Sequence, residues 1–406
     1  FLWTDGRYFL QAEKELQGSG ILLQKSGESG VPTVFEYLAQ TLPAGSTIGM
    51  DGKVMAVNSF TQFNTSLPGM KLATGRDLIG EMWTDRPAPV LSKAFLLDVR
   101  YTGKSASEKI KEVRAALREK KADATVIGAL EDVCYLFNIR GNDIECTPVV
   151  TAYALIDMQS ARLYIDARQM TDAVRAALEK EGVSVAPYEA VFTDAEKLRG
   201  KVYLDPARTN VFLRNKIKAE IVEGLNITST MKAIKNEIEV KNYRNAFLKD
   251  GVAMVKILKW AEEHAASGIT EWDVSEQLLR FRAEQPDFIE ASFTTIAGYG
   301  PNAAIIHYGP KKETAAALQP KGFLLLDSGG QYKDGTTDIT RTIPLGPLTA
   351  EEKEDYTLVL KGHIQLALAK FPENTTGYKL DILARNPLRQ YGKDYKHGTG
   401  HGVGYV

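Results

Sequence analysis

Two aspartates and two histidines stand out by type and spacing. Asp327 follows the apolar run FLLL at residues 323–326, and Asp338 opens the stretch DITRT. A short unbroken apolar run predicts a strand covered on both faces. Gly329 and Gly330 end that run, and Gly335 interrupts the return. In the return, Ile339 and Ile343 face one way, and Asp338, Thr340 and Thr342 the other. This pattern predicts two neighbouring strands that each deliver one aspartate to a shared pocket. Two carboxylates held close in a dry site repel, and one stays protonated unless a cation neutralises both. A divalent metal, or a pair of them, does so. An aspartate in a Gly-rich hairpin is more often a turn residue or a cap. Neither of these two lies within an obvious tight turn.

Downstream stands HGTGHGVG, with His397 and His401 four residues apart. On a helix that spacing would put both on one face, but Gly398, Gly400 and Gly402 disfavour a helix. They predict an open loop or strand where backbone comes close to something bound. An oxygen-rich site with one imidazole suits Mn²⁺, Co²⁺ or Zn²⁺. A structural zinc would call for thiolates.

DSGGQYKDGTTDITRT followed by HGTGHGVG resembles aminopeptidase P, the Xaa-Pro aminopeptidases among the pita-bread metallopeptidases, in their three-domain branch. The resemblance covers nearly the whole chain. It implies a metal-dependent aminopeptidase that releases the first residue from peptides with proline second. It places Asp327, Asp338 and His401 on three of five metal ligands. The other two are glutamates, expected beyond residue 406. Two divalent ions per chain are implied, Mn²⁺ first, with Co²⁺ or Zn²⁺ as alternatives. His307 and His397 match substrate-side residues with catalytic roles, and His401 also borders the substrate. Arg7, in WTDGRYF, matches an arginine that contacts peptide. Homodimers occur in the family.

The elements that must position these groups form three units. The chain has 406 residues, more than one ordinary core holds. Apolar content of 44% and charged content of 25% suit a globular protein. With 50 basic and 51 acidic residues the net charge is −1, so neither nucleic acid nor an anionic membrane is an expected partner. No apolar run reaches the ~20 residues of a membrane helix. Two cysteines, Cys134 and Cys146, make no disulfide framework, which favours a reduced, cytoplasmic setting. The first residue is Phe1, inside what reads as a strand, so the first unit is expected to be incomplete.

The predicted units are residues 1–90 and 91–235, both α/β and of the creatinase N-terminal type, and 236–406. The last is an α+β pita-bread domain truncated at its C-terminal end. TDRPAPV marks the first boundary. Strand, Asp5, Arg7 and helix recur as strand, Asp166, Arg168 and helix, a weak internal duplication. Ile110, Val113 and Leu117 predict an amphipathic helix from about Ser105. A long helix is predicted from Asn236, with Tyr243, Phe247, Met254, Leu258 and Ala261 on it. FTTIAG and AAIIHYG read as strands, so His307 reads as a strand-end histidine apart from the resemblance. His264 near a helix end and His363 on an apolar helix face read as structural.

Three rivals share the fold. A prolidase would cut only dipeptides, and the long second unit argues against it. A creatinase-like amidinohydrolase works without metal, and the retained Asp327, Asp338 and His401 argue against it. A non-catalytic pita-bread module that binds protein partners should have lost those ligands.

Overall fold

The structure is a computed structural model that describes residues 1–404; Tyr405 and Val406 lie outside the described residues. It opens with strand β1 (Leu2–Thr4), helix α1 (Phe9–Glu15) and strand β2 (Leu23–Lys25), which pairs parallel to β1. TDRPAPV is irregular and exposed.

A six-stranded mixed sheet follows. Its strands are β3 (Ala124–Ile127), β4 (Ala152–Asp157), β5 (Ala161–Ile165), β6 (Ser184–Pro187), β7 (Lys201–Leu204) and β8 (Glu220–Glu223), in the order β6-β5-β4-β3-β7-β8. Helix α2 (Ala106–Glu119) starts at Ser105 in a full capping box. Its Ile110, Val113 and Leu117 pack with Ala154, Ile156 and Leu163 on one face of the sheet. Tyr153, Leu155, Tyr164 and Leu204 fill the other face. Both faces are covered, which is why these strands read as apolar runs.

From Asn236 the architecture changes to antiparallel sheet backed by helices. Helix α3 (Glu237–His264) begins at the Asn236 capping box, and α4 (Glu271–Ala283) at the Thr270 one. Strands β9 (Phe288–Ala291) and β10 (Ile296–Tyr299) come next. Strand β11 (Phe323–Ser328) then lies between β10 and the later β14 (Ile339–Pro344). The excursion between them forms β12 (Gly330–Tyr332) and β13 (Gly335–Thr336), and β12 pairs with β9. Leu324 and Leu326 of β11 pack on Ala253, Ile257, Val274 and Leu278 of α3 and α4. Helices α5 (Ala350–Ala367) and α6 (Gly377–Arg389) lie against each other after the sheet.

Three expectations change. Strand β11 alternates buried and half-buried residues instead of being covered on both faces, because its Asp327 face is open. AAIIHYG is not a strand. Gly300 with φ +56° and Pro301 turn the chain into a short 3₁₀ helix, Gly300–Ala304, and a tight turn follows. His363 is exposed. A Cβ on Gly362 would lie 2.1 Å from the Ala384 carbonyl oxygen, so α5 meets α6 at Gly362 and the neighbouring His363 faces out. His264 behaves as expected, bonding the Trp260 carbonyl at 2.8 Å and stacking on the Trp260 ring.

Candidate metal centre

Asp327 sits on the middle strand of the β10-β11-β14 sheet, directly opposite Thr340. Residues directly opposite share a face, so Asp327 and Thr340 point the same way. The Thr340 hydroxyl donates to Asp327 Oδ1 at 2.6 Å. Asp338 precedes β14 by one residue and reaches the same face. The excursion that separates the two aspartates folds back tightly. A Cβ on Gly329 would lie 1.9 Å from the Thr337 carbonyl oxygen, so only glycine fits there.

Burial, and next the Asp327 carboxylate, hold the Asp338 carboxyl above its usual range; the His401 ring opposes them. His401 Nε2 lies 3.3 Å from Asp338 Oδ2. Its Nδ1 is 2.9 Å from the Gly402 carbonyl oxygen. That bond places a ring proton on Nδ1 and turns Nε2 towards the carboxylates, so Nε2 is the atom of His401 placed to ligate a metal. Two hard carboxylates and an imidazole suit a divalent first-row cation. A cation between the carboxylates would remove the repulsion that now raises Asp338. The residues present therefore fit such an ion. Among the described residues no group of three or more His, Cys, Asp or Glu stands close enough together to hold a metal ion as it is.

Buried groups hold this geometry from below. Arg282 and Asp250 are both almost wholly buried. Arg282 Nε donates to Asp250 Oδ1 at 2.7 Å and its Nη2 donates to the Ser328 hydroxyl at 3.1 Å. The Tyr332 hydroxyl donates to Asp250 at 2.9 Å, and Lys249 donates to Asp334 at 2.7 Å. Helices α3 and α4 thus grip both ends of the excursion. The histidine loop is held separately. Tyr243 donates to the Val403 carbonyl at 2.9 Å, and Arg385 to the Tyr395 and His397 carbonyls at 2.5 and 2.7 Å.

The chain matches three family models in sequence: creatinase/prolidase N-terminal domain at residues 1–82 and again at 85–239, and metallopeptidase family M24 at 241–406. It is 40% identical to the probable Xaa-Pro aminopeptidase P of Sordaria macrospora, over 99% of this chain and 69% of that one. It is 37% identical to Xaa-Pro aminopeptidase 1 of Dictyostelium discoideum, over 99% and 67%. The chain belongs to the aminopeptidase P family. Its structure matches that of the X-prolyl aminopeptidase of Caenorhabditis elegans, a cytosolic enzyme with a di-nuclear active site, at TM-score 0.93. The two are 36% identical, with 99% of this chain and 68% of that one covered. A Bacillus anthracis Xaa-Pro dipeptidase, at 24% identity and TM-score 0.58, shares the fold. The chain spans 62 to 70% of the length of the curated relatives it matches. The aminopeptidase P pita-bread architecture, with creatinase-type N-terminal units, is thus the fold of this chain.

Of the six site residues named from this family's pattern, Asp338 lies beside both Asp327 and His401. The other three take other partners. His307 has φ +61°, and its Nδ1 lies 2.8 Å from the Tyr8 hydroxyl of the first unit. His397 stacks on Tyr395 and bonds the Gly398 carbonyl through Nδ1 at 2.7 Å. It lines a cavity of about 730 Å³ with Asp355, His363 and Lys393. Arg7 is clamped to Asp5 by two side-chain bonds of 2.8 Å. Those bonds pull the Asp5 carboxyl down to about 2. The first unit still borders the histidine loop: a Cβ on Gly6 would lie 2.7 Å from Lys396 Cβ, and Lys396 pairs with Glu28. The sequence pattern does not single out Tyr8 or the Arg282–Asp250 pair. Thr340 was legible as the alternation partner of Asp338. Tyr8 stood beside Arg7 with nothing to single it out.

Proposed function

We propose that the protein is a metal-dependent Xaa-Pro aminopeptidase that releases the first residue from peptides with proline second. The observation that carries this reading is the convergence of Asp327, Asp338 and the His401 Nε2 face in a chain of this family. Asp327, Asp338 and His401 would supply three of the five ligands to two divalent ions, with Mn²⁺ as the favoured metal. Asp338, which adjoins both of the others, would be the shared ligand. Bound there, such ions supply an activated water and polarise a carbonyl.

The chain's own groups do the rest. The bond before proline is a tertiary amide, because the proline nitrogen carries no hydrogen. A site for it must hold the carbonyl and the ring without a hydrogen bond to that nitrogen. His307 and His397 hold the substrate, and His307 donates to the carbonyl oxygen as negative charge develops on it. Arg7, with Nη1 outside the Asp5 clamp, can hold the far end of an extended peptide. Cys134 and Cys146 are both free thiols, and no described helix is long and apolar enough to cross a membrane. The free thiols support a reducing, cytoplasmic setting, as does the likeness to the cytosolic Caenorhabditis elegans enzyme.

The test is hydrolysis by the full-length protein. It should release the first residue from Xaa-Pro tripeptides to pentapeptides, lose activity on exhaustive chelation and regain it with Mn²⁺. Full activity after chelation would overturn the reading. Cleavage confined to Xaa-Pro dipeptides would replace it with a prolidase.

A further inference from the structure

The Asp-x-Arg unit occurs twice, and both copies fold alike. Arg7 donates to Asp5 through its backbone N–H at 3.1 Å and through Nε and Nη2 at 2.8 Å. Arg168 donates to Asp166 through the same three groups, at 2.8, 3.0 and 2.8 Å. In each copy the strand before the clamp pairs parallel with the strand that returns after the helix. The second copy shares no contact with the Asp327–Asp338–His401 set among the described residues. The clamp is therefore a device of the fold, and its presence in the first copy does not by itself signal a substrate site.

The copies differ at the next residue. After Arg168 comes Gln169, which is fully buried and donates to Asp143 at 2.7 Å. After Arg7 comes Tyr8, whose hydroxyl meets His307 Nδ1 at 2.8 Å, with the ring centroids 5.4 Å apart. His307 has a left-handed backbone, which non-glycine residues rarely adopt and which persists where surrounding structure imposes it. The Arg7 guanidinium lies 5.3 Å from the Tyr8 ring centroid. A phenol hydroxyl is a good donor, and Nδ1 of a neutral imidazole is an acceptor when the proton is on Nε2.

We propose that Tyr8 is a positioning residue for His307. Its hydroxyl donates to Nδ1, keeps the neutral ring's proton on Nε2 and fixes that N–H towards the substrate. The first unit then acts on the reaction through Tyr8, with the Asp5–Arg7 clamp holding Tyr8 in place. This inference rests on the reading of His307 as a substrate-side donor.

The experiment compares Tyr8→Phe, His307→Gln and the double variant in the full-length, Mn²⁺-loaded protein. Tyr8→Phe should lower kcat/KM on an Xaa-Pro tripeptide roughly three- to tenfold, the effect of one lost hydrogen bond. Metal content and Tm should not move. The ¹⁵N resonances of His307 should report an Nε2–H tautomer in the parent and a tautomer mixture in Tyr8→Phe. In the His307→Gln background, Tyr8→Phe should cost nothing further. If His307→Gln is impaired while Tyr8→Phe changes neither rate nor tautomer, the Tyr8 proposal is overturned and the function stands. If His307→Gln keeps full activity, the role of His307 falls, and the Tyr8 proposal with it.

Discussion

At the residue scale, Asp338 is the group on which the site turns. It adjoins Asp327 and His401 Nε2, and its carboxyl is held up by burial and by the neighbouring carboxylate. As the proposed shared ligand, Asp338 would answer to both metals and His401 to one. Asp338→Ala should therefore strip both ions from the full-length protein, and His401→Ala should weaken one more than the other. Elemental analysis after gel filtration reads this directly. Two ions per chain retained by Asp338→Ala would move the site elsewhere.

At the element scale, the excursion between the two aspartates depends on the buried Arg282–Asp250 pair. Asp250 accepts from Arg282 and Tyr332, and Arg282 also reaches Ser328, the neighbour of Asp327. Arg282→Ala leaves Asp250 buried without its cation, which should cost about 3–5 kcal/mol in urea unfolding. A cost under about 1 kcal/mol would mean that water or another cation reaches Asp250. In the middle unit, Lys109 on α2 is buried, with no carboxylate bonded to it among the described residues. It donates to the Tyr135 carbonyl and to Asn138 Oδ1 at 2.7 Å each, beneath the Tyr135 ring. Burial, and then Arg140, push its pKa down to about 7, with Glu239 opposing. The folded state thus sheds a proton that the unfolded chain keeps up to about pH 10.4. The unfolded state binds more protons between those values, so Lys109 makes stability rise with pH from about 7 to 10. The slope is at most about 1.4 kcal/mol per pH unit. Lys109→Met should flatten the rise between pH 7.5 and 9.5 in urea titrations. An unchanged slope would show that the amine stays charged.

At the scale of the whole molecule, the first unit meets the last through the Asp5–Gly6 turn and the loop that carries His397 and His401. Lys396 pairs with Glu28, lies over the Phe9 ring and leaves no room for a side chain at Gly6. Gly6→Ala places a Cβ against both Lys396 Cβ and the Lys396 carbonyl, at 2.7 and 3.0 Å. The backbone must give, and the histidine loop moves with it. A displacement of about 1 Å near a catalytic group costs on the order of a hundredfold in rate; partial relaxation should leave a loss of roughly tenfold in kcat/KM. Gly377→Ala, where a Cβ meets nothing, is the control. Equal activity of the two variants would show that the turn and the loop are not coupled.

The local alphabet of this protein was legible in its sequence. Thr270 with Asp273 and Thr349 with Glu352 spell capping boxes, and the helices start there. Alternation from Asp338 onward announced a strand, and the clustered glycines of HGTGHGVG an open loop or strand. Such signals are short-range: a cap or a period needs only its own few residues. Tertiary structure decided what needs distant partners. Tyr8 meets His307 across 299 residues. AAIIHY, apolar enough for a strand, is turned aside at Gly300 and Pro301. His363 faces out because α5 meets α6 at its glycine neighbour. Lys249, Asp250 and Arg282 are buried because each finds its counter-charge only after α3, α4 and the hairpin pack together. Pattern records the chemistry of neighbours in sequence; these groups are neighbours only in space.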